Sequence, residues 1–118
     1  MAGPEDALRQ AQQLIDGGSP FYAHEVLEEV WKATVGPQRE LWRGLAQLAV
    51  GLTHAHRGNR KGAVALLRRG ADRIEPYSGE SPYQLDVAGL VRRARWLAAR
   101  IDQEGIPPAG LLHLQLRR

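Results

Sequence analysis

No cysteine occurs in the 118 residues, which removes both a disulfide framework and a thiolate metal site, and with them any argument for an oxidising compartment. Long apolar runs are missing too. The opening stretch, MAGPEDALRQAQQLIDGG, carries acids early and has no basic leader, so neither a signal peptide nor a membrane span is expected, and the expected location is cytoplasmic. Nor is there a phosphate loop, a dinucleotide fingerprint, a nucleophile elbow or a pair of acid/base carboxylates. The sequence assigns no reaction, and whether the chain is an enzyme stays open.

What is present fits one domain. A chain of this length can bury one core without a staple, so a single helical domain over residues 1–118 is expected. The net charge of +3 is uneven: residues 1–40 hold three Lys/Arg against seven Asp/Glu, whereas residues 41–118 hold thirteen against six. A basic half can meet a polyanion or simply keep a helical protein solvated.

Glycine and proline cut the chain into five helical segments, predicting an all-α bundle with an extended C-terminal tail. The first runs from about Glu5 to Asp16 and ends at Gly17-Gly18. Ser19-Pro20 opens the second, with Ser19 as N-cap, and it reaches Val35 before Gly36-Pro37. The third, from Gln38 to about Arg57, is apolar on most sides and is expected to be central. Asn59 caps the fourth, which Pro76 closes. The last starts at Ser81-Pro82, with Gln84 in capping-box position, and continues to about Gln103. Leu111, Leu112, Leu114 and Leu116 then form an arm laid on the bundle or on a partner chain, with no strand pairing implied.

One helix face carries the candidate site. Spacings of three, four and seven put Phe21, His24, Glu28, Trp31 and Val35 on one stripe of the second helix. Glu25, Glu29 and Lys32 supply the surface face, so His24 and Glu28 are expected to point at the core or a cleft in it. A buried carboxylate needs a partner. Arg43, Gln47, Val50 and His54 make a facing stripe on the third helix, and across the short Gly36-Pro37 turn the two stripes are expected to converge. Such a place suits a ligand or metal site. Neutral imidazole and carboxylate at i, i+4 are workable ligands for zinc, manganese or iron, with His54 as a third. A purely structural network, in which Glu28 holds His24 or Arg43, explains the same residues.

The run from Phe21 to Trp31 resembles the HxxxExxW signature of the prokaryotic family called domain of unknown function 309. The stretch from Arg39 through Gly44-Leu45-Ala46-Gln47 to Arg57-Gly58-Asn59, with Gly62-Ala63 and Leu66-Leu67, is similar to the rest of that family's core. The likeness covers about residues 19–77. It implies an all-α bundle and a motif associated with metal binding, without an established activity. By position, His24, Glu28 and Trp31 are the motif residues, with Gln47 and His54 as company. Where the family pattern has glutamine before the glycine, this chain has Arg43, and a cation there favours an anionic ligand over a metal.

Other readings compete. Gly51 and Ala63 are spaced as in a tetratricopeptide hairpin, but a lone unit points to a helical interaction module and not to a solenoid. Arg92, Arg93, Arg95 and Arg100 with Trp96 could meet nucleic acid, although no recognition motif accompanies them. His56 and His113 have no partner at useful spacing and read as surface histidines. Surplus apolar face on the third helix, together with the tail leucines, leads us to expect a homodimer.

Overall fold

Residues 3–118 are described in the computed structural model. Five helices form the bundle: α1 (Pro4–Asp16), α2 (Pro20–Ala33), α3 (Arg39–His56), α4 (Arg60–Ile74) and α5 (Val87–Glu104), with single 3-10 turns at Glu75–Tyr77, Pro82–Gln84 and Ala109–Leu111. None of them is long and apolar enough to cross a membrane, among the described residues.

The helix boundaries follow local chemistry, and one cap and two boundaries differ from the sequence expectation. Ser19 makes no side-chain cap bond, so α2 starts on Pro20 alone, whose missing N–H costs nothing at that position. Its other end comes at Ala33, because Thr34 is extended and turns its hydroxyl back onto the Val30 carbonyl. Val35 therefore lies outside the stripe, 90% exposed. The start of α5 moves from Ser81 to Val87. Ser81, Tyr83 and Gln84 all have positive φ, which no α-helix accommodates, and Asp86 caps instead, accepting from the Gly89 N–H. Asn59 caps α4 as expected, accepting from the Gly62 N–H at 3.1 Å.

The central helix is α3. Leu41, Trp42, Leu45, Leu48, Leu52 and Ala55 are all buried along it. It packs most tightly on α4, where side chains are absent: a Cβ on Gly70 would lie 2.7 Å from Leu48 Cδ2, and one on Gly51 would lie 2.8 Å from Leu67 Cγ. Such glycines let two helix axes approach closely, which is why the Gly51/Ala63 spacing resembled a tetratricopeptide hairpin.

The tail lies on its own chain. Leu112, Leu114 and Leu116 belong to the core, so their apolar surface asks for no second copy and one of the two grounds for expecting a homodimer falls away. Gln12 of α1 clips the tail like a strand edge, donating to the Leu114 carbonyl and accepting from the Leu116 N–H. Contrary to the sequence reading, there is one isolated antiparallel bridge among the described residues, between Leu85 and Arg117.

Candidate functional site

Antiparallel α2 and α3 enclose a cleft of about 210 Å³ lined by His24, Glu28, Trp31, Arg43, Ala46, Gln47 and Val50. Five of the six expected site residues meet there. The sixth, His54, does not. Its Nδ1 accepts from Asn59 Nδ2 at 3.0 Å, and its ring rests against Gly62 on α4. Arg43 lies over Trp31 and Arg57 over Phe21, an antiparallel pairing in which Val50 is the residue that shares the cleft with His24. His54 sits a further turn along, about 6 Å up the axis. Among the described residues no three His, Cys, Asp or Glu side chains are placed to hold a metal ion. The expected trio of His24, Glu28 and His54 is therefore not assembled.

Within the cleft, His24 Nε2 lies 2.9 Å from Glu28 Oε2. A carboxylate can only accept, so Nε2 carries the proton and Nδ1 is the nitrogen left free when the ring is neutral. The pair is at the rim of the cleft and not in the core: the side chains are 22% and 32% exposed. Compensation for Glu28 comes from its own helix, because Lys32 Nζ reaches Oε1 at 2.9 Å. Lys32 was read as surface only, although its i, i+4 spacing from Glu28 was the available signal. The Lys32 hydrogen bond, opposed by partial burial and helped by His24, holds the Glu28 carboxyl below its ordinary value.

The α3 wall is organised from α4. Arg73 donates through Nε to Gln47 Oε1 at 3.0 Å and through Nη1 to Glu40 Oε1. Glu40 also faces Arg43 at 3.7 Å and Arg39 at 3.8 Å. The guanidiniums of Arg39 and Arg43 lie over the Trp31 ring, 5.1 and 5.4 Å from its centroid. Trp31 Nε1 is buried and makes no hydrogen bond with the described residues. A buried donor without an acceptor costs about 1–3 kcal/mol.

Elsewhere, the basic face of α5 is largely occupied with the chain itself, which weakens the nucleic-acid reading. Arg95 holds Asp72 and Glu75, Arg93 holds the Leu111 and His113 carbonyls, and Arg100 faces Glu104. His113 is no unpartnered surface residue, since its Nε2 meets Asp16 Oδ1 at 2.7 Å across 97 positions. Hydrogen bonds from Gln12 and His113 hold the Asp16 carboxyl low, against a smaller effect of burial.

Glu28 and Asp16 thus have a testable consequence. A carboxyl whose pKa is depressed in the folded state contributes stability above its unfolded pKa, and that stability is lost as pH falls through the folded value. The melting temperature is expected to stay level from neutral pH to about 5 and to fall below about 4.5. Glu28→Gln should flatten part of that acid limb. A wild-type melt that is unchanged down to about pH 3 would contradict the pairing.

The family model described as Domain of unknown function (DUF309) matches residues 8–66, taking in part of α1 and ending within α4. Over 48 residues the chain is 46% identical to "Uncharacterized protein YpuF" of Bacillus subtilis (strain 168), a match covering 40% of this chain and 28% of that protein. The match thus spans under a third of that relative's length. No solved structure matches the chain. The segment matched by the family model is half of the 118 residues and contains His24, Glu28, Trp31, Arg43 and Gln47, and the protein belongs to the DUF309 family.

Proposed function

We propose that the domain binds a small polar ligand in the cleft between α2 and α3, with His24 and Glu28 at the centre and Trp31, Arg43 and Gln47 along the walls. The observation that carries this reading is the gathering of these five polar or amphipathic side chains around one solvent-accessible cleft, beside a core that is otherwise apolar. At about 210 Å³ the cleft falls below the roughly 300–1,000 Å³ of sites for drug-sized molecules, so the ligand is correspondingly small. The free nitrogen of neutral His24, Nδ1, accepts a hydrogen bond or a proton from the ligand, and only the ring so protonated can donate from that atom, while Glu28 keeps the ring oriented.

A divalent metal such as zinc, manganese or iron is the weaker reading. It would find one imidazole and one carboxylate here, whereas resident zinc sites supply three or four protein ligands. Lys32 and Arg43 beside the pair add repulsion.

The test is a fragment screen followed by amide chemical shifts in the full chain. Hits that move the amides of residues 24–31 and 43–50, and that are lost in His24→Ala, support the site. Hits confined to other surfaces would overturn it. Melts with zinc and manganese form the second arm, because binding at a hundredfold excess over Kd raises stability by about 2.7 kcal/mol. A metal-dependent rise abolished by His24→Ala would replace the small ligand with a metal centre.

A further inference from the structure

The cleft walls are rich in donors whose acceptors are missing, and poor in free acceptors. Glu28 is the one carboxylate in the lining, and both of its oxygens are engaged, Oε1 by Lys32 and Oε2 by His24. The Gln47 amide is oriented by Arg73, which can only donate, so Oε1 faces Arg73 and the Nε2 donors stay unbonded to other described residues. Arg43 makes no hydrogen bond among the described residues. Its one nearby carboxylate, Glu40, is 3.7 Å away and shared with Arg73 and Arg39. Trp31 Nε1–H, a donor only, is buried without a partner.

Charge points the same way. Lys32, Arg39, Arg43 and Arg73 surround the cleft against Glu28 and Glu40, an excess of two positive charges with His24 neutral. A cation entering here meets net repulsion, and a neutral alcohol or amine finds one free side-chain acceptor, His24 Nδ1, against the three donors of Trp31, Arg43 and Gln47. An oxyanion finds an arginine, an indole N–H and a carboxamide N–H on facing helices.

We propose that the ligand of this cleft carries an oxyanion, a carboxylate or a phosphate monoester, bound at the end of the cleft formed by Trp31, Arg43 and Gln47. The proposal rests on the reading of the α2–α3 cleft as a ligand site and adds its chemical class. Arg43, 41% exposed, is free to swing from the Trp31 ring onto the anion and open the indole N–H to the same group. Guanidinium planes match carboxylate and phosphate geometry in a way that lysine does not.

The probes are acetate, methyl phosphate, acetamide and tetramethylammonium, each titrated into the full chain at constant ionic strength set with chloride, with the cleft amides as readout. Acetate or methyl phosphate should bind saturably, and which of the two binds tighter names the source of the oxyanion. Arg43→Gln should weaken that binding roughly tenfold or more, Arg43→Lys less, and Trp31→Phe about fivefold. Equal binding by wild type and Arg43→Gln would overturn the proposal. Should acetamide or tetramethylammonium move the cleft amides while both anions do not, the ligand cleft stands and the oxyanion falls. If none of the four moves them, both readings fall.

Discussion

Trp42→Ala is expected to lose about 3–5 kcal/mol of folding stability, the range for removing a large aromatic from a packed core. The Trp42 ring is 1% exposed and sits in the α3 core with Tyr83 tilted against it, ring centroids 6.0 Å apart. A domain of this size holds only about 5–15 kcal/mol in total, so the variant falls near the edge of folding. Denaturant unfolding reads the loss as a lower midpoint with an unchanged slope. Trp96 is the internal control: 46% exposed, it should cost far less when replaced by alanine. Similar losses at both positions would contradict the burial pattern.

The second large effect concerns a residue with no side chain. In the interior of a helix, Gly→Ala normally gains up to about 1 kcal/mol of helix propensity. At Gly70 of α4 the sign should reverse. The new Cβ would lie 2.7 Å from Leu48 Cδ2 and 2.9 Å from the Gly44 carbonyl oxygen, and the second is backbone that cannot rotate away. Overpacking of this kind costs about 1–3 kcal/mol, so a net destabilisation is expected despite the better helix former. Because α3 carries Arg43 and Gln47, the same substitution should also shift their amides by pushing α3 off α4. A Gly70→Ala variant more stable than wild type would show that the two helices are not in close contact.

Local and tertiary information divide unevenly between these features. The five helices were legible because glycine, proline and cap residues mark their ends and apolar residues recur at helical spacing. The His24–Glu28 contact was legible for the same reason, since i and i+4 meet on any helix. What escaped was set by contacts between helices. Arg73 reaches Glu40 and Gln47 across 33 and 26 positions, and His113 reaches Asp16 across 97. No periodicity within a helix carries such pairings. His54 shared the Gln47 face by spacing alone, yet Asn59, free to bond it after capping α4, turned it toward the α3–α4 turn. The α5 start was misread because Ser81-Pro82 imitates a cap, while positive φ at Tyr83 and Gln84 is a backbone feature that neither residue announces.

The cleft as an oxyanion site is tested most directly at the Trp31 indole. The chain has three tryptophans, and in a proton–nitrogen correlation spectrum each indole N–H is a separate resonance, with Trp31→Phe identifying the one from the cleft. Titration with methyl phosphate at constant ionic strength should move the Trp31 resonance downfield to saturation as its unpartnered N–H gains an acceptor, while Trp42 and Trp96 stay in place. A Trp31 resonance that stays still with methyl phosphate and with acetate alike, or that moves no more than those of Trp42 and Trp96, would contradict oxyanion binding in the cleft.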